Sequence, residues 1–152
     1  DSEASELLEH MAREEIMVEI NLTSNDVILG VKDREHPFNA YRKYSVPMAF
    51  STDDEGVSRI DLTHEYQRAV STFVLSYADI KYYSRNALAY SFLAGESLFT
   101  STRTAKFVSP CASSRPGKKK MSATCALYLE ENEKARWQWE LEERFRIFEN
   151  SY

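Results

Sequence analysis

The chain has 152 residues, of which 43% are hydrophobic, a size and composition that fit one globular domain and exclude wholesale disorder. A net charge of −5 and a pI near 5.3 argue against a general nucleic-acid-binding protein, which carries a basic face. No apolar run approaches the ~20 residues that a membrane-spanning helix needs. The chain opens on Asp1 rather than Met, so its true N-terminus is expected upstream.

Ala4, Leu7, Leu8 and Met11 follow helical spacing, which predicts an amphipathic helix over residues 3–14. The run Ile16–Ile20 ("IMVEI") predicts a short strand buried on most sides, with "NLTSND" as its polar exit. His36 and Pro37 open a helix through about Tyr44, since proline is tolerated in a first turn. The next strand, "VPMAFS", is almost wholly apolar, as in a parallel sheet covered by helices. "LTHEYQRAVSTFV" predicts a helix with Tyr66, Ala69, Val70 and Phe73 on one face. Ser76 and Asp79 have capping-box spacing and start a helix with Ile80, Tyr83, Ala87 and Tyr90 inward. Residues 95–121 are expected to be loop. A last helix over about 123–149 is expected to carry Trp137, Leu141, Phe145 and Phe148 as its apolar stripe.

This alternation is that of an α/β protein with a parallel sheet. Two parallel strands make neither a closed barrel nor a stable open sheet. Either further strands escape the pattern or the chain is part of a larger domain, and the start on Asp1 rather than Met favours the second.

The second strand stops abruptly at Asp53 and Asp54, followed by Glu55 and Gly56. Acids and glycine are common in turns and at helix starts. In parallel α/β folds, ligands bind at the C-terminal ends of strands, where neighbouring acids at a bend can share a pocket. Both readings stand on the residues alone. Ser24 and Asn25, in the other strand exit, read as turn residues or as pocket lining. The Asn21 sequon is crowded by the strand end and is discounted. His10, His36 and His64 form neither H-x-H nor H-E-x-x-H and are expected to be structural or solvated. Cys111 and Cys125 match no zinc spacing. They are read either as a disulfide closing the loop between them or as two free thiols. The basic run Arg115–Lys120 reads as a solvated loop.

The segments "MVEINLTSN", "HPF", "VPMAFSTDDEGV", "LTHEY" and "YSRNALAYSFL" together resemble, in order and spacing, the C-terminal end of adenosine deaminases. The most specific of these is Ser51-Thr52-Asp53-Asp54-Glu55-Gly56, similar to the family's S/N-T-D-D-P-G turn. The tail, from "SFLAGESLF" to "EKARWQWELEERFRIFE", resembles the secreted, growth-factor-related branch and its bacterial relatives.

The resemblance implies the C-terminal part of a (β/α)₈ TIM barrel. Ile16–Ile20 would be its seventh strand and Val46–Ser51 its eighth, with a helical extension beyond. The implied division is 1–100 barrel portion, 101–122 loop and 123–152 C-terminal helix. The implied reaction is zinc-dependent hydrolysis of adenosine to inosine and ammonia. Asp53 matches the family's zinc-ligating aspartate, and Asp54 the aspartate that contacts the purine, so these two are the expected catalytic residues. The histidine ligands and the catalytic glutamate would lie upstream of Asp1, in the remainder of the barrel, and residues 1–152 alone are expected to be inactive. Two departures stand out: Asn21-Leu22 where the family commonly has Cys-Pro, and Glu55 where it has proline. The alternatives are another amidohydrolase, of adenine or AMP deaminase type, and a catalytically dead binding or growth-factor-like module. The expected partner is a small nucleoside, with no nucleic acid and no membrane. The last helix would pack on the barrel or form a homodimer. The secreted branch implies a periplasmic or extracellular location over a cytoplasmic one.

Overall fold

The computed structural model describes residues 2–118 and 121–151. The chain forms two compact units, Asp1–Ser84 and Arg85–Tyr152. It is a helix-rich α/β structure with two small sheets, and no closed barrel forms among the described residues.

The first unit contains α1 (Ser2–Arg13), β1 (Val18–Ile20), α2 (Leu22–Leu29), α3 (Phe38–Tyr44), β2 (Met48–Phe50), α4 (Glu55–Ser58) and α5 (Leu62–Phe73), and the start of α6 (Tyr77–Ala89). The two strands are parallel, with Val18 beside Met48, Glu19 beside Ala49 and Ile20 beside Phe50. β2 is buried at all three positions, as its unbroken apolar run predicts. β1 is less covered than its sequence suggested, because Glu19 faces solvent.

The core is aromatic. Phe38 is fully buried, with ring centroids 4.3 Å from Phe73 and 5.7 Å from both Phe50 and Tyr83. Burying one such ring contributes about 1.5–3 kcal/mol relative to exposure. On α5, the face predicted from Tyr66, Ala69, Val70 and Phe73 is rotated: Ala69 and Phe73 are buried, Val70 is exposed, and Glu65 takes its place inside. The Ser76–Asp79 capping box forms as expected. The Ser76 amide donates to Asp79 Oδ2 at 2.9 Å, and the Asp79 amide donates to Ser76 Oγ at 3.2 Å. Along α6, Ile80 and Tyr83 are covered while Ala87 is exposed and Asn86 is buried.

The second unit corrects two expectations. Residues 95–121 are not all loop: Phe99–Ser101 (β3) and Lys106–Phe107 (β4) pair antiparallel, and a 3₁₀ turn follows at Ser109–Cys111. The last helix is two helices, α7 (Ala123–Glu131) and α8 (Glu133–Glu149), broken at Asn132. Asn132 leaves the helical path because its side chain serves loop backbone instead. Its Oδ1 accepts the Glu96 amide at 2.7 Å, and Gly95 lies so close that a Cβ there would sit 2.7 Å from Asn132 Cα. The buried face of α8 is Ala135, Gln138, Trp139 and Glu142; of the stripe expected there, Trp137 and Phe148 are exposed.

Polar burial selects that face. Gln138 Oε1 accepts the Leu98 amide at 2.6 Å, and Glu142 pairs with Arg85 through both carboxylate oxygens, at 2.5 and 3.1 Å. Cys111 and Cys125 form a disulfide, so the free-thiol alternative is set aside. In the basic run Arg115, Gly117 and Lys118 are exposed, as read, while Pro116 is buried; Lys119 and Lys120 lie outside the described residues.

Candidate active site at the strand exits

Because β1 and β2 are parallel, their C-terminal ends lie side by side, and the segments leaving them meet. The exit of β1 is not the simple polar turn expected from "NLTSND". A helix, α2, begins at Leu22, immediately after Asn21. The short apolar-polar mixture Leu22–Leu29 carries little helical periodicity, so the helix was not visible as a pattern. The exit of β2 runs through Ser51, Thr52, Asp53 and Asp54 into α4.

A side-chain hydrogen bond joins these exits: Ser24 Oγ donates to Asp53 Oδ2 at 2.7 Å. Ser24 is buried, whereas Asp53 and Asp54 are exposed. Asp53 adopts φ 55°, in the left-handed region. That region costs most L-residues on the order of 1–2 kcal/mol, and aspartate is among the few that visit it. The Asp53 amide donates to Ser51 Oγ at 3.3 Å, and the Glu55 amide donates to the Asp53 carbonyl at 3.0 Å. Asp53 is thus held by its backbone and by Oδ2. No hydrogen bond occupies its Oδ1 among the described residues. Asp54 is the residue before α4; its carbonyl accepts the Ser58 amide at 2.8 Å, and its carboxylate makes no capping bond.

Beneath the exits lies a charged layer on α5. Glu65 has no exposed surface. Its Oε2 accepts the Leu22 amide at 2.9 Å, and the Thr23 amide lies 3.2 and 3.3 Å from its two oxygens. A buried carboxylate is costly unless it is hydrogen-bonded, and the free N–H groups and positive dipole end of α2 supply what it needs. The departure from Cys-Pro matters here: Leu22 has an N–H, which proline lacks, and Glu65 accepts it. One turn on, Arg68 Nη2 pairs with Asp26 at 2.7 Å, and Nη1 donates to Thr23 Oγ1 at 3.4 Å. The Arg68 hydrogen bond, with its charge and that of Lys32, holds the Asp26 carboxyl below its usual range. Neither Glu65 nor Arg68 was recognised from sequence. The signal was the row Glu65, Ala69, Phe73, spaced by four, which puts the glutamate on the buried edge of the helix.

The histidines divide. His10 is exposed on α1 and His64 is exposed at the start of α5. His36 is only 4% exposed, and its Nδ1 accepts the Phe38 amide at 3.1 Å. Burial pushes its pKa below the usual value, helped by the charge of Arg68 and opposed by Glu65. With Nδ1 accepting, the neutral ring carries its proton on Nε2, which lies 3.0 Å from the Asn25 amide group. The Asn25 amide must then present its oxygen, since two donors do not bond. Both ring nitrogens are engaged, so His36 offers no lone pair to a metal.

A catalytic zinc takes three protein ligands. The described residues contain no group of three or more His, Cys, Asp or Glu placed to hold a metal. Asp53, with an open Oδ1, has the chemistry of one such ligand, and the described residues supply no second and third beside it. A second unfilled feature lies at the same exits: Asn21 Oδ1 is buried and has no hydrogen-bond partner among the described residues.

The family model for adenosine deaminase matches residues 1–98. Adenosine deaminases of Escherichia coli O1:K1, O45:K1 and O81 are each 33% identical to the chain over 91 residues, which is 59% of this chain and 27% of theirs. The matched part therefore spans about a quarter of the length of those relatives. No solved structure matches the chain.

Proposed function

The chain belongs to the adenosine deaminase family, and on that premise we propose that it supplies the last two strand exits of a zinc-dependent nucleoside deaminase that converts adenosine to inosine and ammonia. In this reading β1 and β2 are neighbouring strands of a (β/α)₈ barrel, and the remaining strands and the zinc-binding histidines come from outside residues 1–152. The observation that carries it is the Ser24–Asp53 hydrogen bond. A buried hydroxyl holds one oxygen of an exposed carboxylate and leaves the other open, beside the C-terminal ends of parallel strands.

Asp53 is assigned as one metal ligand and Asp54 as a substrate contact. The chemistry that zinc supplies when bound is a water acidified to near-neutral pKa. The task of this chain's residues is positional. Ser24 fixes the rotamer of Asp53, the left-handed backbone at Asp53 turns two consecutive carboxyl groups out of the strand, and Asp54 is left free of capping duty to hydrogen-bond the imidazole side of the purine, where the ring nitrogen accepts and the Asp54 carboxyl, carrying a proton, donates. The Cys111–Cys125 disulfide supports a periplasmic or extracellular location, where such bonds persist.

The test is metal analysis and kinetics on the intact protein. Asp53→Ala is expected to lose stoichiometric zinc and all measurable inosine production. Asp54→Asn is expected to keep its zinc and to lose about 10- to 100-fold in kcat/KM, the loss expected when one substrate hydrogen bond is disrupted. Residues 1–152 alone are expected to produce no inosine. Full zinc occupancy in Asp53→Ala would sink the assignment.

A further inference from the structure

We propose that Glu65 is a positioning residue for the candidate metal ligand: its buried carboxylate sets the start of α2, and α2 delivers Ser24 to Asp53. The inference rests on the reading of Asp53 as a ligand, but its geometry is already complete within this chain.

Three observations carry it. First, the start of α2 is fixed from a distance and not locally. Asn21 stands at the N-cap, a position where asparagine normally bonds the next amides, yet its side chain makes no capping bond and its Oδ1 has no partner among the described residues. Glu65, 42 and 43 positions away, takes the Thr23 and Leu22 amides instead. Second, α5 does not need Glu65 for its own start, because Asp61 already caps it, accepting the His64 amide at 2.8 Å. Third, Ser24 follows directly on the two anchored residues, and Arg68 grips Thr23 and Asp26 on either side of it. Among the described residues the Ser24 hydroxyl then has one heavy-atom partner, Asp53 Oδ2. A small shift of the first turn of α2 would carry the hydroxyl out of reach, while leaving the hydrophobic contacts of α5 through Ala69 and Phe73 in place.

A purely structural glutamate would lower stability without acting through Ser24, so the test must separate the two. The variants are Glu65→Gln, Ser24→Ala, their combination, and Asp53→Ala, in the intact protein. Glutamine keeps the shape, but presents an NH₂ to an amide that needs an acceptor. A crystal structure of Glu65→Gln is expected to show the Ser24 Oγ to Asp53 Oδ2 separation opened beyond hydrogen-bond reach, from 2.7 Å. Zinc affinity, read by competition with a chelator, is expected to fall about 10- to 100-fold in Glu65→Gln and in Ser24→Ala, the usual range for a partner of a metal ligand. The double variant is expected to be no weaker than Ser24→Ala alone. An intact Ser24–Asp53 bond in Glu65→Gln overturns the proposal, as does an equal loss from Glu65→Gln with and without Ser24. If Asp53→Ala retains zinc, the metal assignment fails instead, and the distance in the Glu65→Gln structure still decides the role of Glu65. Should Glu65→Gln not fold, Glu65→Asp withdraws the carboxylate by one methylene, and the same distance is read.

Discussion

Glu65 and Glu142 are both buried carboxylates on helices, one in each unit, and they are neutralised differently. Glu65 is satisfied by backbone amides at a helix start, Glu142 by the guanidinium of Arg85. The first arrangement ties a helix to a strand exit and ends at an exposed pair of acids. The second is an internal brace of its unit, and the described part of that unit carries no comparable acid pair on a strand exit. Their cores differ in the same sense. The first unit is built on a cluster of packed aromatic rings; the second also packs Phe99, Phe107 and Trp139, but adds a covalent staple, the buried amide of Gln138 and an ion pair. The lesson is that buried charge in this chain has two uses, holding a site and holding a scaffold, and that the partner of the charge tells them apart.

The largest test of this contrast is Phe38→Ala. It removes the ring shared by Phe50, Phe73 and Tyr83 and is expected to destabilise the first unit by about 3–5 kcal/mol in urea unfolding. A loss under about 1 kcal/mol would mean that the aromatic cluster is not the main support. Next is the staple. Replacing Cys111 and Cys125 together by serine frees a loop with a sequence separation of 14, and about 3 kcal/mol is expected to be lost on the chain-entropy account. The loss should appear in probes of the second unit, such as Trp139 fluorescence; unchanged unfolding would show that the buried polar pairs suffice.

The smallest effect concerns His36. Its folded pKa lies below the unfolded value of 6.5, so the unfolded chain takes up the proton first. The stabilisation is complete above pH 6.5 and declines as pH falls through the window between 6.5 and the folded value, by at most about 1.4 kcal/mol per pH unit. His36→Asn should flatten that slope between pH 7 and 5.5. An unaltered slope would assign it to other groups, of which Asp26, also held below its usual range, acts only in more acid solution.

Much of this was legible in the linear chain because it is local. The Ser76–Asp79 box needs residues three apart, an apolar tetrad spans two helical turns, and "STDDEG" can be matched as a contiguous string. Sequence therefore determined the two parallel strands, the helices α1, α3, α5 and α6, and the choice of Asp53 and Asp54 as the residues to watch. Other features depend on residues that meet only after folding. Ser24 and Asp53 are 29 positions apart, Glu65 and Leu22 are 43, and Glu96 and Asn132 are 36. No pattern in the chain announces that α2 starts where Glu65 can reach it, that Asn132 leaves its helix to serve a distant amide, or that two cysteines close to 4.6 Å between their Cα atoms. Tertiary structure decided these, because a buried polar group must find its partner in space, wherever along the chain that partner lies.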